Sequence, residues 1–246
     1  MTARARWLAA AVVMLVIVAA AGVGMALKDR PRPLPARAAE ERPELQVLTS
    51  LPIVFPEQFT LQAPAAPALK ALQSRYRIVP ISVADAKALG GQGLLLMAQP
   101  QAQPAEALVE LDQWVRGGGR VLLLADPTLE WQSALALGDP LRPPLAFADT
   151  GLLGHWGLRL DAPDSRGPKS VTIGGVEIRT YSPGSLVARA GGCAVGPERL
   201  IARCRIGQGQ AVVVADADFI DSGRIGDEAG SAGLDLLLEE LARLER

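Results

Sequence analysis

The sequence has one histidine, two cysteines and few aromatic side chains, which make up 4% of its 246 residues. A cysteine-dependent hydrolase needs a cysteine nucleophile on a sharp strand-to-helix turn and a histidine base within hydrogen-bond reach. Cys193 and Cys204 instead fall in a segment of short alternating runs, and His155 lies in a glycine-flanked stretch. This scarcity excludes a catalytic cysteine–histidine pair and favours a loop role for His155.

The sequence also has no excess of either charge, with 25 lysines and arginines against 26 aspartates and glutamates. Without a basic field the chain has nothing to gather a nucleic acid, so no nucleic-acid partner is predicted. There is no phosphate-binding P-loop, and Gly207-Gln208-Gly209 precedes a strand rather than opening a helix, which is the wrong context for a dinucleotide fingerprint. The sequence therefore predicts no cofactor.

Charge is missing altogether from Trp7 to Leu27, a stretch of 21 residues. As a helix this stretch would span roughly 30 Å of hydrocarbon at about 1.5 Å per residue, which predicts a transmembrane anchor. A cleaved secretory signal is the alternative, because Gly24-Met25-Ala26 offers small residues at a cleavage spacing. Charged residues flank the segment on both sides, so the positive-inside rule leaves its orientation open.

Residues 28–44 are rich in proline and charge, which predicts an extended tether, and residues 45–246 read as a folded domain. The stretch Leu108–Pro127 predicts a helix, a glycine turn and a buried strand. The stretch Gly207–Ile220 repeats a glycine turn, an apolar strand and an Ala-Asp exit. The two strands would be neighbours that end in Asp126 and Asp216.

Strands alternate with helices from Leu45 onward, which predicts an α/β fold with a parallel, flavodoxin-like or amidotransferase-like sheet. Between about residues 156 and 206, short runs separated by glycine and proline turns predict an antiparallel β insertion. Cys193 and Cys204 lie in that insertion, where a disulfide is feasible. The alternative is that both are small buried hydrophobic residues.

Ligands of open α/β sheets bind at the carboxyl ends of the strands, so residues at those exits and in nearby loops are the candidate binding residues. They are Gln99, Asp126, Pro127, Trp131, His155, Trp156, Asp216 and Asp218. The aspartates at 126, 139, 216, 218 and 221 have the oxygen ligands that Mg²⁺ or Ca²⁺ prefers. Aspartate at a strand exit is also a common turn former, and that interpretation is favoured, so no metal ligand or catalytic residue is assigned.

Two segments, Gly93–Pro127 and Gln208–Ile220, carry a family resemblance. Their pattern of apolar strand, proline, helix and Gly-Gly before a strand that ends in Asp-Pro resembles the auxiliary, substrate-binding-like subunits of ABC transport systems, including the gliding-motility auxiliary protein. The resemblance implies a non-catalytic amidotransferase-like domain in the periplasm, with residues 1–6 in the cytoplasm. It also implies an ABC permease and its ATPase as partners in the bacterial inner membrane.

The leading hypothesis from the sequence is a non-enzymatic, membrane-anchored auxiliary component of an ABC transport system. The first alternative is a metal-assisted hydrolase that uses Asp126, Asp216 and Asp218, which requires their carboxylate oxygens to converge on one point. The second alternative is a structural module of the cell envelope. The sequence leaves the oligomeric state open.

Overall fold

The structure is a computed structural model that describes residues 33–57, 64–189 and 191–246. The chain divides into two units. The larger comprises Leu34–Ile173 and Glu177–Arg246, and the smaller includes, among the described residues, Pro33 and Gly174–Val176. The candidate site lies in the larger unit.

The strands of the described chain are β1 (Glu44–Thr49), β2 (Arg77–Pro80), β3 (Leu94–Ala98), β4 (Arg120–Leu124), β5 (Leu158–Asp161), β6 (Pro168–Ile173), β7 (Val176–Tyr181), β8 (Ser185–Ala188), β9 (Cys193–Val195), β10 (Ile201–Ile206) and β11 (Gly209–Val214). The helices are α1 (Pro67–Gln73), α2 (Ala86–Leu89), α3 (Ala105–Arg116), α4 (Leu152–His155), α5 (Ser222–Ile225) and α6 (Asp227–Leu244), with 3-10 turns at Ala39–Glu41 and Asp218–Ile220.

The main sheet has seven strands in the order β2-β1-β3-β4-β11-β10-β9. The five strands from β2 to β11 run parallel, and β10 and β9 are antiparallel to their neighbours. Strands β3 and β4 consist almost entirely of buried leucine, methionine, valine and alanine, as expected for central strands that are covered on both faces.

The prediction of a parallel flavodoxin-like or amidotransferase-like main sheet was wrong, because β10 and β9 make this sheet mixed. The predicted β insertion, about residues 156–206, also includes β10, which belongs to the main sheet and pairs with β11. Only Gly207 and Gln208 separate these two strands. A connection of two residues makes a hairpin, and a hairpin forces its strands to be antiparallel, whereas a parallel neighbour needs a long crossover. The remaining insertion forms two separate two-stranded sheets, β5 with β8 and β6 with β7.

The register of β4 and β11 positions the candidate site. Leu124 pairs with Val214 in a parallel ladder, so Asp126 and Asp216 each lie two residues beyond paired positions. On the other side of β4, Ala98 pairs with Leu124, which places Gln99 at the same edge. Neighbouring strands are about 4.8 Å apart, so three polar side chains meet where these strands end.

Close approach between helix α3 and the start of β11 requires a glycine. A side-chain carbon on Gly209 would lie 2.0 Å from the carbonyl oxygen of Val115 and 2.2 Å from that of Gly119. Helix α3 buries Leu111 and Val115, which are one turn apart, against the sheet. The lack of a side chain at Gly209 therefore lets the end of helix α3 pack directly against the backbone at the start of β11.

The part of the predicted tether that is described is attached to the larger unit. The backbone N–H of Arg37 donates to the carbonyl of Ser74 at 2.9 Å, and the guanidinium of Arg37 pairs with Glu245 at 2.6 Å. Tyr76, which is 1% exposed, donates its hydroxyl to the same glutamate. Residues Arg37 and Glu245 thus connect the two ends of this unit.

The predicted transmembrane segment Trp7–Leu27 lies outside the described residues. Among the described helices, none combines the length and the apolar character needed to cross a bilayer.

Candidate functional site

Three buried aspartates converge at the carboxyl ends of β4 and β11. One carboxylate oxygen each from Asp126, Asp216 and Asp218 lies within 4.8 Å of the other two, and all three residues are 0% exposed. Three oxygens at the corners of such a triangle are at most about 2.8 Å from its centre, close to the 2.3 to 2.6 Å of a calcium–oxygen bond. We refer to these residues as the aspartate triad.

Each member of the aspartate triad accepts backbone hydrogen bonds. Asp126 accepts from Thr128 at 2.7 Å and from Ala217 at 3.0 Å, which ties the end of β4 to the end of β11. Asp216 accepts from the N–H of Asp218 at 2.9 Å. These aspartates thus accept the backbone hydrogen bonds that a turn-forming role predicts. The same hydrogen bonds orient the three carboxyl groups toward one another.

Asp218 has one carboxylate oxygen without a partner. Its Oδ2 accepts from the N–H of Glu130 at 2.8 Å. Its Oδ1 is buried and forms no hydrogen bond in the described part of the chain. A buried oxygen of this kind costs free energy unless a water, a proton or a cation satisfies it, so this atom is free to serve as a ligand.

The electrostatics of the aspartate triad lead to the same conclusion. Burial raises the pKa of Asp218 to about 7, and the negative charge of Asp126 adds to that effect. Burial and the charge of Asp126 also hold the pKa of Asp216 well above its usual range. The pKa of Asp126 is raised by burial against the hydrogen bonds it accepts. Burial and mutual repulsion thus disfavour three charged carboxylates here, and a proton or a cation would relieve that repulsion.

The antiparallel segment contributes a further layer of polar side chains. Thr180, on β7, donates its hydroxyl to Oδ2 of Asp216. Ser182, just after β7, donates its hydroxyl to Glu130, and Arg224 pairs with the same carboxylate at 3.2 Å. The hydrogen bond from Ser182, together with Arg224, lowers the pKa of Glu130 against the effect of burial.

Gln99 supports the triad from β3. It is 0% exposed and adopts a positive φ of 44°, which is uncommon for a residue other than glycine. Its side chain accepts from the N–H of Asp126 at 2.9 Å and donates to the carbonyl of the same residue at 3.1 Å. Gln99 therefore fixes the backbone of Asp126, and its own amide is fully engaged.

Pro127 lies against the start of β8. A side-chain carbon on Gly184 would come within 2.5 Å of its ring, so glycine is required for this contact. Five of the eight predicted binding residues, namely Gln99, Asp126, Pro127, Asp216 and Asp218, thus lie at the carboxyl edge of the sheet.

The other predicted binding residues do not join the triad. Trp131 is partly exposed in the loop that follows β4. His155 has a side chain that is 61% exposed and lies 3.3 Å from Asp112 on helix α3. Trp156 is buried, at 4% exposed, and donates its indole N–H to Asp112 at 2.9 Å. Sequence spacing could not show this burial, because helix α3 and the loop that contacts it are far apart in the chain.

The two cysteines form a disulfide between β9 and β10. Cys193 and Cys204 are directly opposite each other in the antiparallel ladder, with their Cα atoms 3.9 Å apart. The disulfide lies at the β9 edge of the main sheet and shares no described contact with the aspartate triad.

Thr180, Ser182, Glu130 and Arg224 belong to the site and have no signal in the sequence that would identify them. The alternation of β7 does indicate that Thr180 faces inward together with Ile178, and both are buried. That pattern alone gives no reason to pair a threonine with an aspartate 36 positions away.

A cavity of about 250 Å³ lies beside Thr180. It is lined by Pro168, Lys169, Ser170, Arg179, Thr180, Tyr181 and Ile225. Since Thr180 both lines this cavity and donates to Asp216, the aspartate triad lies one side chain away from it.

The sequence matches no family model and no curated protein. An exo-β-1,4-mannosidase from an Opitutaceae bacterium is similar in structure, with a TM-score of 0.50 and 13% identity over 80% of this chain and 36% of that chain. A GH42 β-galactosidase has a TM-score of 0.49 and 15% identity over 85% of this chain and 30% of that chain. The chain thus spans about a third of the length of these two enzymes.

A cytoplasmic protein from Salmonella typhimurium is also similar, with a TM-score of 0.50 and 10% identity over 82% of this chain and 98% of that chain. At such identities the likenesses show the fold alone. The predicted resemblance to ABC transport auxiliary proteins has no support from these comparisons and stays a prediction.

These findings correct the predicted role and location. The similar structures found are a mannosidase, a β-galactosidase and a cytoplasmic protein rather than transport subunits, so the predicted non-enzymatic auxiliary function beside an ABC transporter is not retained. The predicted single-pass location in the inner membrane with a periplasmic domain is not retained either: no described helix could span a membrane, and one similar structure carries the description of a cytoplasmic protein.

Proposed function

We propose that the chain is a metal-dependent hydrolase whose centre is the aspartate triad. The observation that supports this function is the convergence of three carboxylates on one point, with Oδ1 of Asp218 unpartnered. Convergence is the property that a metal-assisted hydrolase requires and that three separate turn-forming aspartates do not. A hard divalent cation such as Ca²⁺, Mn²⁺ or Mg²⁺ prefers such oxygen ligands.

The residues of the site divide the task between them. Asp126, Asp216 and Asp218 would supply one oxygen each to the cation. Gln99 and the N–H of Ala217 hold Asp126 in place, and Thr180 holds Asp216. A divalent cation bound in such a centre polarises a substrate oxygen or activates a water molecule for attack.

The spacing of the carboxylates favours metal-assisted hydrolysis over a glycosidase mechanism that uses two carboxyl groups. Retaining glycosidases place their carboxyl groups about 5 to 5.5 Å apart and inverting ones about 6.5 to 9.5 Å apart, with the sugar between them. The oxygens of the triad are within 4.8 Å of one another and are fully buried, which leaves room for an ion rather than for a sugar ring.

The first test is cation binding to the intact chain, measured by isothermal titration calorimetry with Ca²⁺, Mn²⁺ and Mg²⁺ after treatment with a chelator. We expect one cation per chain for the wild type and no binding for Asp216→Asn. Asp164→Asn is the matched control, because Asp164 is exposed and lies outside the triad. Folding of each variant is checked by circular dichroism.

The protons held by the triad provide a second readout. Carboxyls with raised pKa values must lose their protons when a cation enters, so binding is expected to release protons and to strengthen as pH rises from about 6 to about 8. Calorimetry in two buffers of different ionisation enthalpy measures this release. Folded wild-type protein that binds none of the three cations would overturn the proposal.

Activity is tested with chromogenic phosphate esters, carboxylic esters and mannosides, the last because of the fold shared with a mannosidase. We expect turnover of at least one class, abolished by the chelator and by Asp216→Asn, and kept by Asp164→Asn. Cation binding without turnover of any class would contradict the hydrolase assignment while leaving the metal site in place.

A further inference from the structure

The cavity beside Thr180 carries positive charge that no described side chain neutralises. Lys169 and Arg179 line it and are exposed. Neither forms an ion pair with a residue in the described ranges. No carboxylate is among the described residues that line the cavity. Two cations that line one concave surface, with no carboxylate among its described lining residues, attract an anion.

The same cavity offers hydroxyl groups and a fixed aromatic ring. Ser170 and Tyr181 line it together with the two cations, whereas the hydroxyl of Thr180 is already donated to Asp216. The guanidinium of Arg224 stacks on the ring of Tyr181 at 3.6 Å from its centre and also pairs with Glu130. Hydroxyl and guanidinium donors beside a lysine are the usual partners of a phosphate or sulfate group.

The position of the cavity connects it to the aspartate triad. Thr180 contributes to the lining and donates its hydroxyl to Asp216. An anionic group in this cavity would therefore lie near Thr180, whose buried hydroxyl contacts the triad from the other side. Attraction between this anionic group and a cation in the triad would draw a substrate that carries an oxyanion toward the centre.

From this arrangement we infer that the cavity binds a phosphate-type oxyanion, and that the substrates of the site are phosphate esters. The choice of substrate class rests on the function proposed above, whereas the binding of the anion by Lys169 and Arg179 does not. The shared chemistry is a tetrahedral dianion, which free phosphate and a phosphate ester both present.

The test of the anion site uses inorganic phosphate and the intact chain in buffer that contains a chelator, so that no metal takes part. Binding is followed by ³¹P nuclear magnetic resonance. We expect Lys169→Gln and Arg179→Gln each to weaken phosphate binding about tenfold, since each removes a charged donor. Arg166→Gln is the matched control, because Arg166 is exposed and outside the lining, and it should leave the affinity unchanged.

Phosphate that fails to bind, or that binds with equal affinity to the wild type and to the Lys169→Gln/Arg179→Gln double variant, would overturn this inference. Phenyl phosphate and sodium benzoate distinguish the ligand chemistry. Phenyl phosphate should bind at least as tightly as free phosphate, and tighter binding of benzoate would contradict the preference for a tetrahedral dianion.

A second series adds Mn²⁺ and separates this inference from the proposed function. A cation in the triad is expected to strengthen phosphate binding in the wild type and to have no effect in Asp216→Asn. Phosphate binding that persists without any response to Mn²⁺ would keep the anion site and would contradict phosphate esters as substrates of the triad. Absence of phosphate binding together with intact cation binding would overturn the anion site and would leave the metal site of the proposed function in place.

Discussion

Thr180 donates a hydrogen bond from its hydroxyl to Oδ2 of Asp216, which lies 36 positions further along the chain. Asp216 follows the central strand β11, and Thr180 lies on β7 of a separate two-stranded sheet. This bond links the cavity, where Lys169 and Arg179 gather, to the buried triad. Thr180 is therefore the residue that contacts both the cavity and the aspartate triad.

Replacement of Thr180 by valine keeps the shape of the side chain and removes the donor to Asp216. Because the bond is buried and its acceptor would be left with one partner fewer, we expect the free energy of unfolding to fall by about 1 to 3 kcal/mol. Urea denaturation measures the difference. Thr172→Val, at an exposed position on β6, should change stability by less than about 0.5 kcal/mol. Equal stability of the wild type and Thr180→Val would show that this bond contributes nothing.

The triad makes stability depend on pH in the metal-free protein. The folded-state pKa of Asp218 is about 7 against an ordinary value of 3.8, so the folded state binds more protons than the unfolded state between these values. Stability is therefore expected to fall as pH rises from about 4 to about 7 and to level off above that range. The raised pKa values of Asp126 and Asp216 act in the same direction.

The variant Asp218→Asn removes the contribution of this carboxyl. A difference of one in pKa between the folded and unfolded states corresponds to about 1.4 kcal/mol. We therefore expect the free energy of unfolding of Asp218→Asn to exceed that of the wild type by about 2 to 4 kcal/mol at pH 8 and by little at pH 4. Thermal and urea unfolding at several pH values, with chelator present, measure the effect. Asp164→Asn serves as the control, and a wild type whose stability rises between pH 4 and pH 7 would contradict the assignment of raised pKa values.

Helix α6 packs against the turn Asp218–Ile220, and the contact is made at a glycine, Gly233. A side-chain carbon on Gly233 would lie 2.1 Å from the carbonyl oxygen of Phe219, so Gly233→Ala must push the helix away from the turn Asp218–Ile220. We expect a loss of more than about 2 kcal/mol in the free energy of unfolding. Gly154→Ala, also in a helix but with no atom within 4 Å, should be neutral or stabilising by up to about 1 kcal/mol.

Reduction of the disulfide should affect stability without affecting the triad. Cys193 and Cys204 are 11 positions apart. Closing a loop of this size lowers the conformational entropy of the unfolded chain, which stabilises the folded state by about 2 to 3 kcal/mol. We expect the Cys193→Ser/Cys204→Ser double variant and the reduced wild type to melt at lower, similar temperatures. Cation affinity should not change, since the disulfide is at the β9 edge of the sheet.

The sequence predicted several individual elements. Strand β4 occupies Arg120–Leu124, within the stretch Leu108–Pro127 for which a buried strand was predicted, because an uninterrupted apolar run is stable as a central strand covered on both faces. The matched Ala-Asp exits after β4 and β11 also predicted that these strands are neighbours, which their ladder shows. The membership of β10 in the main sheet was open to the same reasoning through its short connection to β11, and was missed.

What the sequence determined by itself is the set of buried strands and the aspartates at their ends, because local patterns of apolar residues and turn residues depend on near neighbours. Only the tertiary structure decided that the carboxyls converge, that Oδ1 of Asp218 lacks a partner, and that Trp156 is buried. It also brought Thr180 to Asp216 and placed Lys169 and Arg179 beside them. Such relationships depend on how distant segments pack in three dimensions, and no spacing along one chain encodes them.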